Sequence, residues 1–142
     1  MRLFLLDAPY RALLLLLALL AEEEERLDGM SLYLSIRESL DYLRLIGLPS
    51  GVSRTGEGSL PAETAIRVYE LFEQALEAAL PGLRAFLADI RFQNGDFSLR
   101  LELDTELELP APVWTGPGSL RLEREDSSHW LSLSIPGEGA AS

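Results

Sequence analysis

The chain has 142 residues and a formal net charge of −11, and an apolar fraction of 47% is enough for one domain with a hydrophobic core. This acidic surface repels phosphate groups and argues against a nucleic-acid partner. The absence of cysteine excludes disulfides, zinc–thiolate sites and cysteine nucleophiles, and a single histidine, His129, cannot supply a multi-histidine metal site.

The first 21 residues are rich in leucine and allow three interpretations. The continuous apolar run from residue 12 to residue 21 is about half of the roughly twenty residues that a membrane-spanning helix requires. Asp7, Pro9 and Arg11 interrupt both a longer span and a signal peptide, so we favour a buried helix that begins near Pro9. Leucine lies on every side of this helix, which predicts cover from a partner chain. A membrane anchor over residues 3–21 is the alternative.

A second helix is predicted over residues 32–46, with Ser31 as its N-cap and Gly47 just past its end. Its apolar stripe contains Tyr33, Ile36, Leu40 and Leu43. Two helices joined around Gly29 predict a helical hairpin over residues 1–47 that can serve as a dimerisation element.

The clearest pattern in the chain is the amphipathic helix predicted over residues 60–80. Pro61 suits its first turn, and Pro81-Gly82 ends it. Its apolar face recurs at helical spacing and consists of Ala65, Tyr69, Phe72, Leu76 and Ala79. We expect Tyr69, Phe72 and Leu76 to pack on a sheet.

Strands with a period of two surround this helix. A short edge strand is predicted near Val52. Residues 86–92 and 97–103 alternate around an Asn-Gly turn, which predicts a β-hairpin, although a helix over residues 83–88 is an alternative. Residues 105–119 contain three prolines and predict a loop.

Two further strands are predicted over residues 119–125 and 130–135, with Leu120, Leu122 and the leucines after Trp130 facing the core. The pattern as a whole predicts an α+β fold. A two-helix N-terminal hairpin precedes a small two-layer sandwich, in which a long helix packs on a four- to five-stranded, mostly antiparallel sheet. We assign residues 1–47 to the hairpin, 48–136 to the α/β domain and 137–142 to a disordered tail.

The helix sequence LPAETAIRVYELFEQALEAAL resembles the opening of the GHKL-type ATP-binding domain of bacterial sensor histidine kinases. The preceding LIGLP and GEG, the hairpin ADIRFQNGDFSLRLELD and the closing LSLSIP are similar to successive parts of that domain. The resemblance covers residues 46–136 in order. It implies the GHKL fold for this part of the chain.

Most of the family's functional positions carry other residues here. The resemblance places Gln74 where the family has a helix glutamate, and Ala78 where it has the asparagine that binds the magnesium of ATP. Asp104 falls on the aspartate that recognises adenine, but Thr105, Glu106 and Leu107 replace the glycines that should follow it. No histidine lies on the N-terminal helices, where the family carries its phosphoacceptor.

These departures imply a degenerate, non-catalytic relative that acts through protein–protein contact in two-component signalling. The expected partners are a second copy of the chain, bound through the N-terminal helices, and a response regulator or sensor kinase. We expect a cytoplasmic location, no cofactor and no metal. One alternative is a protein or sensor kinase fragment that binds ATP and magnesium weakly through Asp104, and another is a membrane-associated accessory protein. The residues expected in the core or at the interface are Ile36, Leu40, Leu43, Tyr69, Phe72 and Leu76.

Overall fold

The computed structural model describes residues 26–137 of the chain. The predicted first helix of the hairpin and most of the predicted tail therefore lie outside the described residues. The elements in chain order are β1 (Arg26–Asp28), α1 (Gly29–Leu45), β2 (Ser50–Thr55), β3 (Ser59–Pro61), α2 (Ala62–Ala79), β4 (Ala85–Gln93), β5 (Asp96–Asp104), β6 (Ser119–Glu125) and β7 (Ser128–Ile135). A short 3₁₀ helix, Leu80–Gly82, follows α2.

A five-stranded sheet forms one layer of the domain, in the order β2-β4-β5-β7-β6. The parallel pair β2 and β4 lies at one side, and the other neighbours are antiparallel. Strands β1 and β3 form a separate antiparallel pair. The architecture confirms the predicted α+β fold with a long helix on a mostly antiparallel sheet.

The β4–β5 hairpin confirms the prediction from the Asn-Gly pair. Asn94 and Gly95 both have positive φ, at 53° and 85°, which is the conformation that a tight hairpin turn of this type requires. The register pairs Phe92 with Phe97 beside the turn. The alternative of a helix over residues 83–88 is wrong, because β4 begins at Ala85 and pairs with a strand on each side.

Helix α2 packs on the sheet through the predicted apolar face. Tyr69, Phe72 and Leu76 are fully buried, as expected from their spacing. The ring of Phe72 meets the ring of Phe86 on β4 edge to face, with 5.6 Å between the ring centres. Pro61 lies just outside the helix as its N-cap residue, rather than within the first turn as predicted.

Helix α1 begins three residues earlier than predicted, at Gly29, because Asp28 and not Ser31 caps it. The Asp28 carboxylate accepts a hydrogen bond of 2.8 Å from the Met30 amide. A side chain at Gly29 would collide with the ring of Phe92, so the close approach of α1 to the sheet requires glycine there. The helix ends as predicted before Gly47, whose φ is 89°.

The apolar stripe of α1 lies in the same core as α2. Leu40 is 1% exposed, and Ile36 and Leu43 are fully buried. Ser39 and the Tyr69 hydroxyl form a 3.1 Å hydrogen bond between the two helices. Burial raises the pKa of Tyr69 to about 12. The stripe therefore packs in the same core as α2, while the division of the chain at residue 47 stays a prediction.

Strand β6 corrects part of the predicted core. Leu131, Leu133 and Ile135 on β7 are buried as expected. Leu122, however, is 44% exposed, because β6 is the last strand of the sheet and the helices do not extend over it. None of the helices in the described range is both long enough and apolar enough to cross a bilayer.

We expect truncation of Leu40 to test whether α1 belongs to this core. Leu40→Ala should lower the free energy of unfolding by about 2–5 kcal/mol, because it leaves a cavity in a packed interior. Leu45→Ala is the matched control on the same helix, since Leu45 is 82% exposed, and it should change stability by less than about 0.5 kcal/mol. Urea unfolding followed by circular dichroism measures both, and equal effects would contradict the packing.

Candidate functional site

Two of the residues identified by the family resemblance, Gln74 and Ala78, lie on α2. Gln74 and Ala78 are one helical turn apart and therefore lie on the same face. This face points away from the apolar stripe that packs on the sheet: Gln74 is exposed and Ala78 is half-buried. It is the place where the resembled domain would hold nucleotide and magnesium.

Residues 106–118, which we call the covering loop, run antiparallel to α2 over this face. At the C-terminal end of the helix, a Cβ on Gly82 would come within 2.8 Å of Leu107. Further along, loop residues 109–113 line one cavity together with Gln74 and Ala78. The stretch of α2 from Ala78 back to Arg67 is about 16 Å long at 1.5 Å per residue.

Hydrogen bonds fix the far end of the covering loop to the helix. The Arg67 guanidinium donates to the carbonyl and the hydroxyl of Thr115, at 3.3 and 3.2 Å. Its other nitrogen donates to Glu63 at 3.0 Å, which holds the guanidinium in place. Trp114 donates from its indole nitrogen to the Pro117 carbonyl at 3.0 Å and packs, with Leu109, against the core. Three prolines in the loop restrict the backbone and lower the entropy cost of this arrangement.

Little space remains between the covering loop and α2. The cavity there has a volume of about 150 Å³, and its lining is mostly apolar. Sites for small molecules and cofactors are typically about 300–1,000 Å³. A second cavity of about 300 Å³ lies between the loop and strands β6 and β7, where Glu108 and Glu123 accompany Arg124. Two carboxylates against one guanidinium disfavour a triphosphate there.

Asp104, the residue aligned with the adenine-binding aspartate, lies on the other side of the sheet. Side chains alternate along β5, so buried Leu103 faces the helices and Asp104 faces outward. Asp104 accepts a 2.8 Å ion-paired hydrogen bond from Arg84, which also contacts Glu106 at 3.2 Å. The structure therefore does not bring Asp104 together with Gln74 and Ala78.

The pKa of the Asp104 carboxyl is lowered, first by the hydrogen bond from Arg84 and then by one from Ser127. Both interactions favour the ionised form of the carboxyl. They hold the end of β5 to the beginning of β4 and to the turn before β7. The ion pair between Arg84 and Asp104 is exposed, and its role is to link the ends of neighbouring strands at the surface.

Thr105 and His129 form a buried polar contact that the sequence did not suggest. The His129 nitrogen Nε2 lies 3.3 Å from the Thr105 carbonyl oxygen, and the Thr105 amide donates to Ser127 at 2.9 Å. The Thr105 hydroxyl accepts from the Leu107 amide at 3.1 Å, which turns the chain into the covering loop. The paired contacts of His129 and Thr105 explain how the loop begins, and no pattern local in sequence would have paired them.

The residues at the magnesium position of the resembled domain offer no set of metal ligands among residues 26–137. Ala78 has no ligand atom, and no group of three acidic or histidine side chains in that range could hold a metal ion. The donor set on this face of α2 therefore does not fit magnesium-bound ATP.

The chain shares its fold with catalytic domains of histidine kinases. It superposes on the histidine kinase domain of the Erythrobacter litoralis EL346 blue-light activated kinase with a TM-score of 0.53 and 17% identity, over 74% of this chain and 64% of that one. For the nucleotide-free catalytic domain of histidine kinase ThkA, the TM-score is 0.57 and the identity is 8%, over 79% of this chain and 95% of that one. For the mycobacterial sensor histidine kinase MprB, the TM-score is 0.52 and the identity is 15%, over 80% of this chain and 97% of that one.

At these identities the likeness shows the fold alone, which is the GHKL-like fold that the sequence resemblance implied. The chain spans less than two thirds of the Erythrobacter domain. No protein-family model matches the sequence, and a comparison with curated protein sequences gives no significant match.

The tie between Arg84 and Asp104 predicts a specific dependence of stability on pH. Because the folded state lowers the pKa of Asp104, the pair stabilises the fold above the ordinary aspartate pKa, and this stabilisation is lost as the pH falls through the lowered value. Arg84→Gln should raise the pKa of Asp104 toward its ordinary value in an NMR titration. The stability difference from the native chain should then disappear in acid. Arg91→Gln, which removes a pair with Asp89 instead, should leave the titration of Asp104 unchanged.

Proposed function

We propose that this protein is a non-catalytic relative of the histidine kinase ATP-binding domain that acts through protein–protein contact in two-component signalling. The observation that carries the proposal is the covering loop, which lies on the face of α2 where the resembled domain would hold nucleotide. The loop is hydrogen-bonded to this helix at Thr115, and the cavity between loop and helix is only about 150 Å³. The fold is kept while the space for the substrate is filled by the chain itself.

The residue types on this face support the same proposal. The Gln74 amide cannot act as a base, and the Ala78 methyl group cannot bind a metal ion. Asp104 faces outward and is paired with Arg84. Recognition of adenine and activation of phosphate would need these three positions to act together, and they lie on opposite faces of the sheet.

The only histidine of the chain does not suit the role of phosphoacceptor. His129 is buried on β7, and its ring nitrogen is engaged with the Thr105 carbonyl. Phosphoryl transfer needs an accessible nitrogen that a second active site can approach in line. A chain with this arrangement can bind a signalling partner, but it has no exposed imidazole to pass on a phosphoryl group.

The partner class follows from the likeness in fold to histidine kinases. We propose a response regulator or a sensor kinase as the partner, and a cytoplasmic location for the complex. The strong negative charge of the chain makes complementarity to a basic patch on that partner part of the proposal.

Calorimetric titration with magnesium-ATP tests the loss of nucleotide binding. The native chain should give no saturable heat. Gln74→Glu combined with Ala78→Asn restores the family residues and should also give none, because the covering loop still fills the space. Shortening the loop in that double variant separates the two causes, and binding only after shortening would identify the loop as the barrier.

Saturable binding of magnesium-ATP by the native chain would contradict the proposal. If that binding were lost in Asp104→Ala, the result would favour the alternative of a weak nucleotide-binding protein. Circular dichroism of each variant is the control for folding, so a null titration is read only from a folded protein.

A further inference from the structure

Strand β6 ends the sheet with an open edge. It spans Ser119–Glu125, pairs with β7 on one side, and has no strand on its other side among residues 26–137. Every second residue of such a strand directs its amide and carbonyl outward, away from the sheet. An open edge of this kind is a template for another strand.

The strand at the opposite end of the sheet, β2, has a helix packed against it. Helix α1 contacts β2, and the Ser50 hydroxyl donates to the Leu40 carbonyl at 2.8 Å. Covering an edge with a helix is one of the ways in which proteins prevent strand pairing. Within the described part of the chain, β6 has no such cover.

The charges of β6 balance within the strand. The chain carries a net charge of −11, but β6 contains two arginines and two glutamates and is therefore neutral. Leu122 lies at the centre of the strand with 44% of its side chain exposed. The strand thus has an exposed apolar residue and no net charge, whereas the net negative charge of the whole chain repels other copies.

We propose that β6 pairs antiparallel with β6 of a second copy, about a two-fold axis at Leu122. This register places Leu122 opposite the partner subunit's Leu122. It places Arg121 opposite the partner subunit's Glu123, and by symmetry the same pair forms twice. The two five-stranded sheets then join into one continuous sheet of ten strands.

The order of charges along β6 differs from that of an edge strand whose charges prevent pairing with a second copy. A protected edge carries like charges, which would meet across the two-fold axis and repel. On β6, Arg121 and Glu123 lie on the same face and already contact each other at 3.0 Å within the strand. Each can exchange this contact for the matching one in the second copy without changing the face of the sheet on which it lies.

The expected dimer is weak and depends on concentration. A contact of seven residues per chain belongs to the smallest class of protein interfaces, which are transient. Leu122, Glu123 and Arg124 also line a cavity with the covering loop, but the proposed pairing uses the open edge of β6 and needs no nucleotide. The inference therefore stands or falls independently of nucleotide binding.

Sedimentation velocity of the full chain over a concentration series measures the dimer. We expect Arg121→Glu and Glu123→Arg each to raise the dissociation constant about tenfold or more, because two attractive contacts become repulsive in each case. The matched control is Arg91→Glu, which breaks a similar pair, with Asp89, on the interior strand β4. It should leave the dissociation constant unchanged.

Mixing the two variants gives the sharpest test. A chain with Arg121→Glu presents two acids and a chain with Glu123→Arg presents two bases, so the mixture should form a heterodimer although neither variant pairs with itself. A native chain that is monomeric at its highest soluble concentration would overturn the inference. A dimer that persists in both single variants, or a mixture without heterodimer, would also overturn it.

Discussion

Helix α2 lies between the five-stranded sheet and the covering loop, and it holds both in place. One side of the helix buries Tyr69, Phe72 and Leu76 in the core, and the Phe72 ring meets the Phe86 ring of β4 edge to face. The other side carries Gln74 and Ala78 beneath the covering loop. The covering loop therefore lies on the face where, by the resemblance, a nucleotide would be held. The packing of α2 thus contributes to the stability of the domain through one face and to the proposed absence of catalysis through the other.

Local patterns predicted the elements that depend on local physics. The spacing of apolar residues predicted α2, and alternation around the Asn-Gly pair predicted the β4–β5 hairpin. The start of α1 was missed because Asp28 and Ser31 are both good capping residues, and a distant contact decides between them. That contact is the approach of Gly29 to Phe92 and to the Gly58 carbonyl, which no local pattern reveals.

The geometry of the candidate site could not be predicted from the motif alone. The family resemblance located Asp104 along the chain, but the strand decides which face it occupies. Here the signal was present in the sequence, since alternation from Leu99 to Leu103 already directs Asp104 outward. The course of the covering loop was not predictable in this way, because it depends on contacts such as that between Arg67 and Thr115, 48 residues apart. The exposure of Leu122 likewise follows from the order of strands in the sheet.

Ala78, Pro112 and Val113 line one cavity, so nuclear Overhauser effects from the Ala78 methyl group to the two loop side chains report whether the covering loop lies on α2. We expect these effects to be present in the free protein and to keep their intensity in excess magnesium-ATP, because the loop stays in place. Their loss on addition of nucleotide, together with shifts of the Gln74 and Ala78 resonances, would show instead that the loop opens to a working site.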